Sequence, residues 1–450
     1  MRIAMLSPIA WSTPPNNYGP WERFTSLLTE GLVEKGIDVT LFATTNSKTK
    51  AKLQGVINEG YEENPSINPK VWECLHISEV FEHAGEFDLI HNNFDFLPLS
   101  YSDFVTTPVV TTIHGFSSSK ILPVYKKYNG RVFYVAISDA DRSPELDYIA
   151  RIHHGIDIEK FYFNRNPDSY LLYFGRIHQD KGTMEAIEIA GQAGINLIIA
   201  GIIQDHDYYE RNVKPRIDGE KIIFVGSTGP ERRNELLGGA IALLHPINFN
   251  EPFGFSVVES MACGTPVIAF NRGSMAELIR HAHNGLLVSN VEEAVDAVKQ
   301  IRNIDRANCR KTAEEKFTSQ RMVDNYIEVY KQIMEIRKRE DHRPWGFYTI
   351  LSDTTNHKIK RITVYPEKRL SLQFHRHRSE HWYIIEGNAL VTHDRKKTNL
   401  KTGQSIDIAK GAIHRIENTD VENLVFIEVQ RGNYLGEDDI ERIEDDFGRS

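Results

Sequence analysis

The sequence predicts two successive doubly wound α/β lobes followed by a small all-β barrel. Three observations lead there. Over the first ~330 residues, strand-like apolar runs alternate with helical segments, the pattern of βαβ units and parallel sheets. That rhythm restarts after residue 165. From Pro344 the texture changes to short strand candidates separated by turn residues, with little helical period. The expected domains are 1–165, 166–338 and 339–450, and a chain of 450 residues is long enough to give each its own core.

Taken in order, Ile3–Leu6, Val39–Phe42, Leu89–Ile90, Val109–Ile113 and Val132–Ile137 read as buried strands of the first lobe. Helix-period stretches such as Glu22–Lys35 lie between them. Leu171–Phe174, Leu197–Ala200, Ile222–Val225, Ala242–His245 and Val267–Phe270 are the strands of the second lobe. Two such lobes leave a cleft at the carboxyl ends of their strands. Phe317–Arg337 is helical in period and ends in Lys and Arg, which suit a helix C-terminus. The charged stretch Arg337–Arg343 reads as a linker, after which Phe347–Leu351, His357–Tyr365, Leu370–His377, His381–Glu386 and Leu424–Gln430 read as barrel strands.

Composition narrows the function classes. A net charge of −9 argues against nucleic acid as the main partner, because a phosphate backbone needs a basic face. Cys74, Cys263 and Cys309 are far apart and form no CxxC pair, so neither a disulfide framework nor a cysteine zinc site is expected, and a reducing, cytoplasmic setting fits. The N-terminus lacks the apolar region of a signal peptide. The longest apolar run, Ile195–Ile203, is too short to span a bilayer and carries Asn196 and Gly201, so no transmembrane segment is expected.

Three features of the α/β part carry chemistry. In Tyr173-Phe-Gly-Arg-Ile-His-Gln-Asp-Lys-Gly182, Gly175 lets backbone approach a ligand, while Arg176 and Lys181 can bracket a diphosphate. In the run from Glu251-Pro-Phe-Gly to Gly264-Thr-Pro, a helix starting near Phe255 would turn its N-terminus to the cleft, where its dipole favours phosphate. Glu259 sits within that helix and Glu251 on the loop before it, so two carboxylates can grip two sets of sugar hydroxyls. A strand end, Val110-Thr-Thr-Ile-His114, presents a histidine to the same cleft. His153, His154 and His178 read as surface or hinge residues.

With these motifs, most of residues 1–340 resembles the family 4 glycosyltransferases, retaining enzymes of the GT-B fold. The resemblance implies that Arg176 and Lys181 bind the diphosphate of a nucleotide-sugar donor, that Glu259 holds the ribose, and that Glu251 holds the transferred sugar. It implies further that His114 lies near the reacting carbon, that no metal is needed for transfer, and that the leaving phosphate takes the acceptor proton in a front-face attack. The N-terminal loop departs from the family's glycine pair: it reads Pro14-Pro-Asn-Asn-Tyr-Gly19-Pro20, so Gly19 supplies the backbone approach while Pro20 lacks an N–H.

The barrel region carries a second constellation. On a strand, Gln373, His375 and His377 share a face, and Glu380 opens the next strand. Further on stands Gly403-Gln-Ser-Ile-Asp-Ile-Ala409-Lys-Gly411-Ala-Ile-His414. Imidazole, carboxylate and amide oxygen around one centre suit a first-row divalent ion such as zinc. These segments resemble the two cupin motifs, with Ala409 in place of the usual proline. The wider run, including Arg343-Pro-Trp-Gly, Glu428-Val-Gln and Tyr434-Leu-Gly-Glu-Asp-Asp, resembles type II mannose-6-phosphate isomerases over nearly all of 341–450. The implied metal ligands are Gln373, His375, Glu380 and His414. Lys360, His377, Arg415 and Arg431 are candidate sugar-phosphate contacts, and no residue stands out as the general base.

The expected protein is therefore bifunctional. It transfers a hexosyl group from a nucleotide sugar to an unknown sugar or glycan acceptor, and it interconverts mannose 6-phosphate and fructose 6-phosphate. The pathway link between the two points to GDP-mannose as donor. The alternative is a glycosyltransferase whose cupin only binds sugar or metal. Cupin barrels often pair through edge strands, so a homodimer is the prior expectation.

Overall fold

The computed structural model describes residues 1–16, 18–116 and 119–448, and it divides into two compact units, one ending at Tyr330 and the next starting at Lys331. The first unit holds two parallel sheets. Strands β1 (Arg2–Leu6), β2 (Asp38–Phe42), β3 (Lys52–Gln54), β4 (Leu89–Asn92), β5 (Val109–Ile113), β6 (Phe133–Ala136) and β7 (Tyr148–Arg151) form one, in the order β3-β2-β1-β4-β5-β6-β7. Strands β8 (Tyr170–Phe174), β9 (Asn196–Ala200), β10 (Ile222–Gly226), β11 (Ala242–His245), β12 (Val267–Phe270) and β13 (Gly285–Val288) form the other, in the order β10-β9-β8-β11-β12-β13. Central strands are apolar throughout because helices cover both faces: Ile3, Ala4, Met5 and Leu6 are all fully buried. In each sheet the order reverses beside the first strand, between β1 and β4 and between β8 and β11, which opens a crevice at the carboxyl ends.

Strands β3, β7 and β13 escape the sequence reading: all three are edges of three or four residues, and β3 and β7 are only partly covered. The helix Ser319–Arg339 returns to the first lobe. Its Tyr326 and Tyr330 are buried, and their hydroxyls bond Thr112 Oγ1 at 2.8 Å and His91 Nδ1 at 2.6 Å.

The second unit is all β. Strands β14 (Glu340–Arg343), β15 (Gly346–Asp353), β16 (His357–Val364), β17 (Leu372–His375), β18 (Arg378–Glu386), β19 (Asn388–His393), β20 (Lys396–Lys401), β21 (Ser405–Ile408), β22 (His414–Asn418), β23 (Leu424–Gly432) and β24 (Ile440–Glu444) make two antiparallel sheets. Their orders are β14-β15-β16-β23-β18-β21 and β20-β19-β22-β17-β24. Ile362, Val364, Trp382, Ile384, Val391, Ile416 and Phe426 fill the space between them, as a cupin barrel requires. The stretch Arg337–Arg343 is not the irregular linker that its charge suggests. The helix runs on to Arg339, and β14 pairs antiparallel with β15, its Glu340 holding Arg337 at 3.3 Å and His342 at 2.9 Å.

Candidate functional site

A cleft of about 1430 Å³ is lined by both lobes of the first unit, and Gly19, His114, Gly175, Arg176, Lys181, Glu251 and Glu259 all line it. Topology explains the gathering. His114 follows β5, Gly175 and Arg176 follow β8, and Glu251 lies on the loop after β11. Glu259 belongs to the helix Phe255–Ala262, whose first residues Phe255 and Ser256 also face the cleft. Pro20 is the first residue of the helix Pro20–Glu34, a position where a missing N–H costs the helix nothing.

Opposite charges are paired within the cleft. Lys181 Nζ lies 2.5 Å from Glu251 Oε2 and 4.6 Å above the Phe249 ring. His245 stands 3.7 Å from the same carboxylate oxygen, but burial pushes its imidazole down to about 4, so Lys181 supplies the positive charge there. Glu259 is 2% exposed and is held by Arg23 of the first lobe at 2.5 Å and by Arg233 at 3.6 Å. The Arg176 guanidinium donates to Gln204.

Sequence reasoning missed Arg23, Arg233 and His245, which follow no motif and meet the site only through the fold. Of its two readings of His154, surface or hinge, burial rules out the surface one. That ring is 3% exposed and stacks on Phe255 with centroids 5.1 Å apart; its Nε2 lies 3.4 Å from His114 Nδ1. Nothing in a His-His doublet before a glycine announces burial between lobes. His153 bonds Glu277 at 2.9 Å, and His178 is partly exposed and caps a turn through the Asp180 N–H.

In the second unit, potential ligand atoms of His375, Glu380 and His414 all lie within 4.8 Å of one another, on residues no more than 3% exposed. The Nδ1–H groups of the two imidazoles are directed to backbone carbonyls, of Asp439 at 3.4 Å and of Ala412 at 2.9 Å. Both Nε2 atoms therefore carry lone pairs toward the centre, and both are buried without a hydrogen-bond partner. Glu380 lies 3.0 Å from His375 Nε2 and 3.6 Å from His414 Nε2. Burial opposes its ionisation, and the Arg378 guanidinium at 3.1 Å favours the carboxylate form. Two orphaned imidazole lone pairs around an ionised carboxylate fit a divalent cation. Gln373 stands opposite His414 in the ladder, on the same face, with its Oε1 accepting from Ser371 at 2.7 Å.

The four phosphate candidates separate by alternation along the strands. Lys360 faces inward, opposite Glu428 on β23, with Nζ 2.5 Å from Glu437. Arg415 does not reach the centre. His414 and Ile416 take the inner face of β22, so Arg415 points away and pairs with Glu444 at 3.0 Å. Arg431 likewise follows the inward Gln430 and is exposed beside His357. His377 is exposed on the turn after β17, its ring edge against Tyr434. The buried Arg378, overlooked in the sequence, faces inward and donates to Glu380 at 3.1 Å and to the Gly436 carbonyl at 2.8 Å.

Comparison with known proteins follows the same division. Residues 156–316 match the family described as glycosyl transferases group 1, and residues 331–445 match the mannose-6-phosphate isomerase C-terminal family. Among solved structures, the first unit is similar to the sucrose-phosphate synthase of Thermosynechococcus elongatus, with a TM-score of 0.63 at 20% identity over 74% of this chain and 99% of that one. It is also similar to Anabaena HepE solved with UDP and glucose, with a TM-score of 0.57 at 19% identity over 74% and 100% of the two chains. The fold of this unit is thus GT-B. Among curated proteins, the alginate biosynthesis protein AlgA of Pseudomonas aeruginosa is 49% identical over 111 residues, 25% of this chain and 23% of that protein. A mannose-1-phosphate guanylyltransferase of Escherichia coli is 45% identical over 113 residues, 25% of this chain and 24% of that protein. The chain spans about a quarter of the length of these curated relatives. Among the described residues, no helix is long and apolar enough to cross a membrane.

Proposed function

Because this chain joins a group 1 glycosyl transferase domain to a mannose-6-phosphate isomerase C-terminal domain, we propose that it is a bifunctional sugar enzyme. The GT-B unit transfers a hexosyl group from a nucleotide sugar with retention, and the cupin interconverts mannose 6-phosphate and fructose 6-phosphate. The observation that carries the transferase reading is the convergence of Gly19, His114, Gly175, Arg176, Lys181, Glu251 and Glu259 on one cleft. Residues 1–165 form the acceptor side, 166–338 the donor side, and 339–450 the isomerase. GDP-mannose is the donor of choice, because mannose 6-phosphate lies upstream of it.

In this reading the donor exchanges the ion pairs Lys181–Glu251 and Arg23–Glu259 for its own contacts. Its diphosphate draws Arg176 and Lys181 to itself, and Glu251, released from Lys181, turns to the hydroxyls of the hexose. The ribose hydroxyls take Glu259 in place of Arg23. Cations already fixed at the cleft then stabilise the charge that develops on the departing diphosphate. His114 sits beside the reacting carbon, and the acceptor proton passes to the leaving phosphate. Glu259→Ala should weaken GDP-mannose binding about 10- to 100-fold by calorimetry, the cost of losing a charged hydrogen-bond partner, and leave metal content unchanged. Unaltered binding and transfer in that variant would refute this site.

In the cupin, Gln373, His375, Glu380 and His414 would hold a divalent ion, zinc by the character of the set, and it would polarise the sugar carbonyl. Lys360 and Arg378, the inward cations, are the phosphate partners we assign. A coupled assay on zinc-loaded protein with mannose 6-phosphate should give turnover that vanishes in His375→Ala. No turnover from a zinc-replete sample would leave the cupin as a binding module and remove the support for mannose.

A further inference from the structure

The hydrogen bonds around His114 run in one direction, and that direction can be read from their ends. Asn93 spends its amide nitrogen on Met5 Sδ at 3.1 Å, so its Oδ1 faces His114 Nε2 at 3.2 Å. A carbonyl oxygen only accepts, which places a proton on His114 Nε2. His114 Nδ1 then carries a lone pair, and the atom facing it at 3.4 Å is His154 Nε2, which must donate. The remaining ring atom, His154 Nδ1, is buried without a partner. With this direction it is an unmet acceptor. The reverse direction would bury an unmet N–H there and set the His114 lone pair against the Asn93 oxygen, which is the costlier outcome at both ends.

We infer that His154 is the positioning residue of the transferase cleft: its Nε2–H fixes His114 as the Nε2–H tautomer, in one orientation. The inference rests on the transferase reading for its purpose, but its geometry stands apart from it. Packing makes the arrangement rigid. His154 lies flat on Phe255, with Phe24 and Phe253 at centroid distances of 4.6 and 5.0 Å, and His114 is held between Phe24 at 4.7 Å and Trp21 at 5.5 Å. Burial keeps both rings neutral, so the pair shares hydrogens and not charge. Trp21, Phe24 and His114 belong to the first lobe, Phe253 and Phe255 to the second, and His154 to the segment leaving β7 between them. The His114 tautomer is thereby tied to the closure of the two lobes. The Nε2–H now donated to Asn93 is the group that His114 can offer to a sugar oxygen.

The test uses the full chain with 15N-labelled histidine and two variants. His154→Phe keeps a ring for the stack and removes the donor, whereas His154→Gln restores an N–H at the place of Nε2. Imidazole 15N spectra should show His114 wholly as the Nε2–H tautomer in the wild type, mixed or inverted in His154→Phe, and restored in His154→Gln. The same His114 spectrum in all three folded proteins would overturn the inference. With GDP-mannose as donor, kcat should fall on the order of 10²-fold in His154→Phe with KM nearly unchanged, and recover in His154→Gln. Full kcat in His154→Phe would equally overturn the positioning role. A wild type that shows the stated tautomer but transfers no hexose from any nucleotide sugar would remove the transferase reading and leave the tautomer assignment standing.

Discussion

His414 and Arg415 are neighbours in the chain and strangers in the barrel. A strand turns successive side chains to opposite faces, so His414 brings an orphaned Nε2 to the His375–Glu380 centre while Arg415 meets Glu444 outside it. This separates two effects that proximity in sequence would blur. His414→Ala removes one of the two imidazole lone pairs, and zinc content measured after dialysis should drop from about one per chain to a small fraction of it. Arg415→Ala should retain the metal in full. Equal metal content in the two variants would mean that the centre is assembled from other residues. The same alternation marks the limit of what the sequence discloses. Gln373 and His375 are legible as a pair because their spacing is a strand spacing, and Glu380 because it opens the next strand. Arg415 and Arg431 read as phosphate contacts only while the inward register of their strands is unknown. His154, Arg23 and Arg233 are illegible for another reason: each meets its partner across more than 25 positions of chain, and no local pattern encodes that.

Among the elements, the helix Thr183–Ala193 offers a controlled comparison, because glycines in the left-handed region stand at both of its ends. Gly182, with φ of 74°, follows Lys181, and a Cβ there would lie 1.9 Å from the Pro246 carbonyl oxygen. Gly194, with φ of 69°, has nothing within 4 Å of that position. Gly194→Ala should therefore cost only the backbone preference, about 1 kcal/mol. Gly182→Ala adds a clash with backbone that cannot retreat, and about 3 kcal/mol or more is expected. Because Lys181 is adjacent, donor affinity should fall with it. Urea midpoints of the two variants test the ranking; similar losses would mean that the loop at Pro246 yields easily. The glycine after Lys181 was visible in the sequence as part of a motif. That its backbone must pass beneath the β11 loop was not. Strands β1, β5, β8 and β12 were legible because burial on both faces leaves apolar runs, whereas the edges β3 and β7 are short and only partly covered.

At the scale of the molecule, Glu277 ties the two lobes of the GT-B unit from outside the cleft. Glu277, on the helix Met275–Leu278 of the second lobe, accepts the backbone N–H groups of Asp139 at 3.0 Å and Ala140 at 2.9 Å, and it bonds His153 at 2.9 Å. Partial burial alone would raise its pKa, but the hydrogen bond from His153 and the two backbone donors outweigh that and bring it from 4.5 to about 2. A carboxyl whose pKa is lower folded than unfolded stabilises the native state above its unfolded value and loses that contribution as protons return. The stabilisation from Glu277 is therefore complete above about pH 5 and fades as the pH falls from 4.5 toward 2. The side chain is 19% exposed, which leaves a contribution of roughly 1–3 kcal/mol at neutral pH. Glu277→Gln keeps the shape and removes the charge. Its deficit against the wild type, read from the urea midpoint of the GT-B unit, should be largest at pH 6–7 and shrink steadily between pH 4.5 and 3. A deficit that stays constant across that range would show that the carboxylate charge contributes nothing to holding the lobes, and that Glu277 acts there by shape alone.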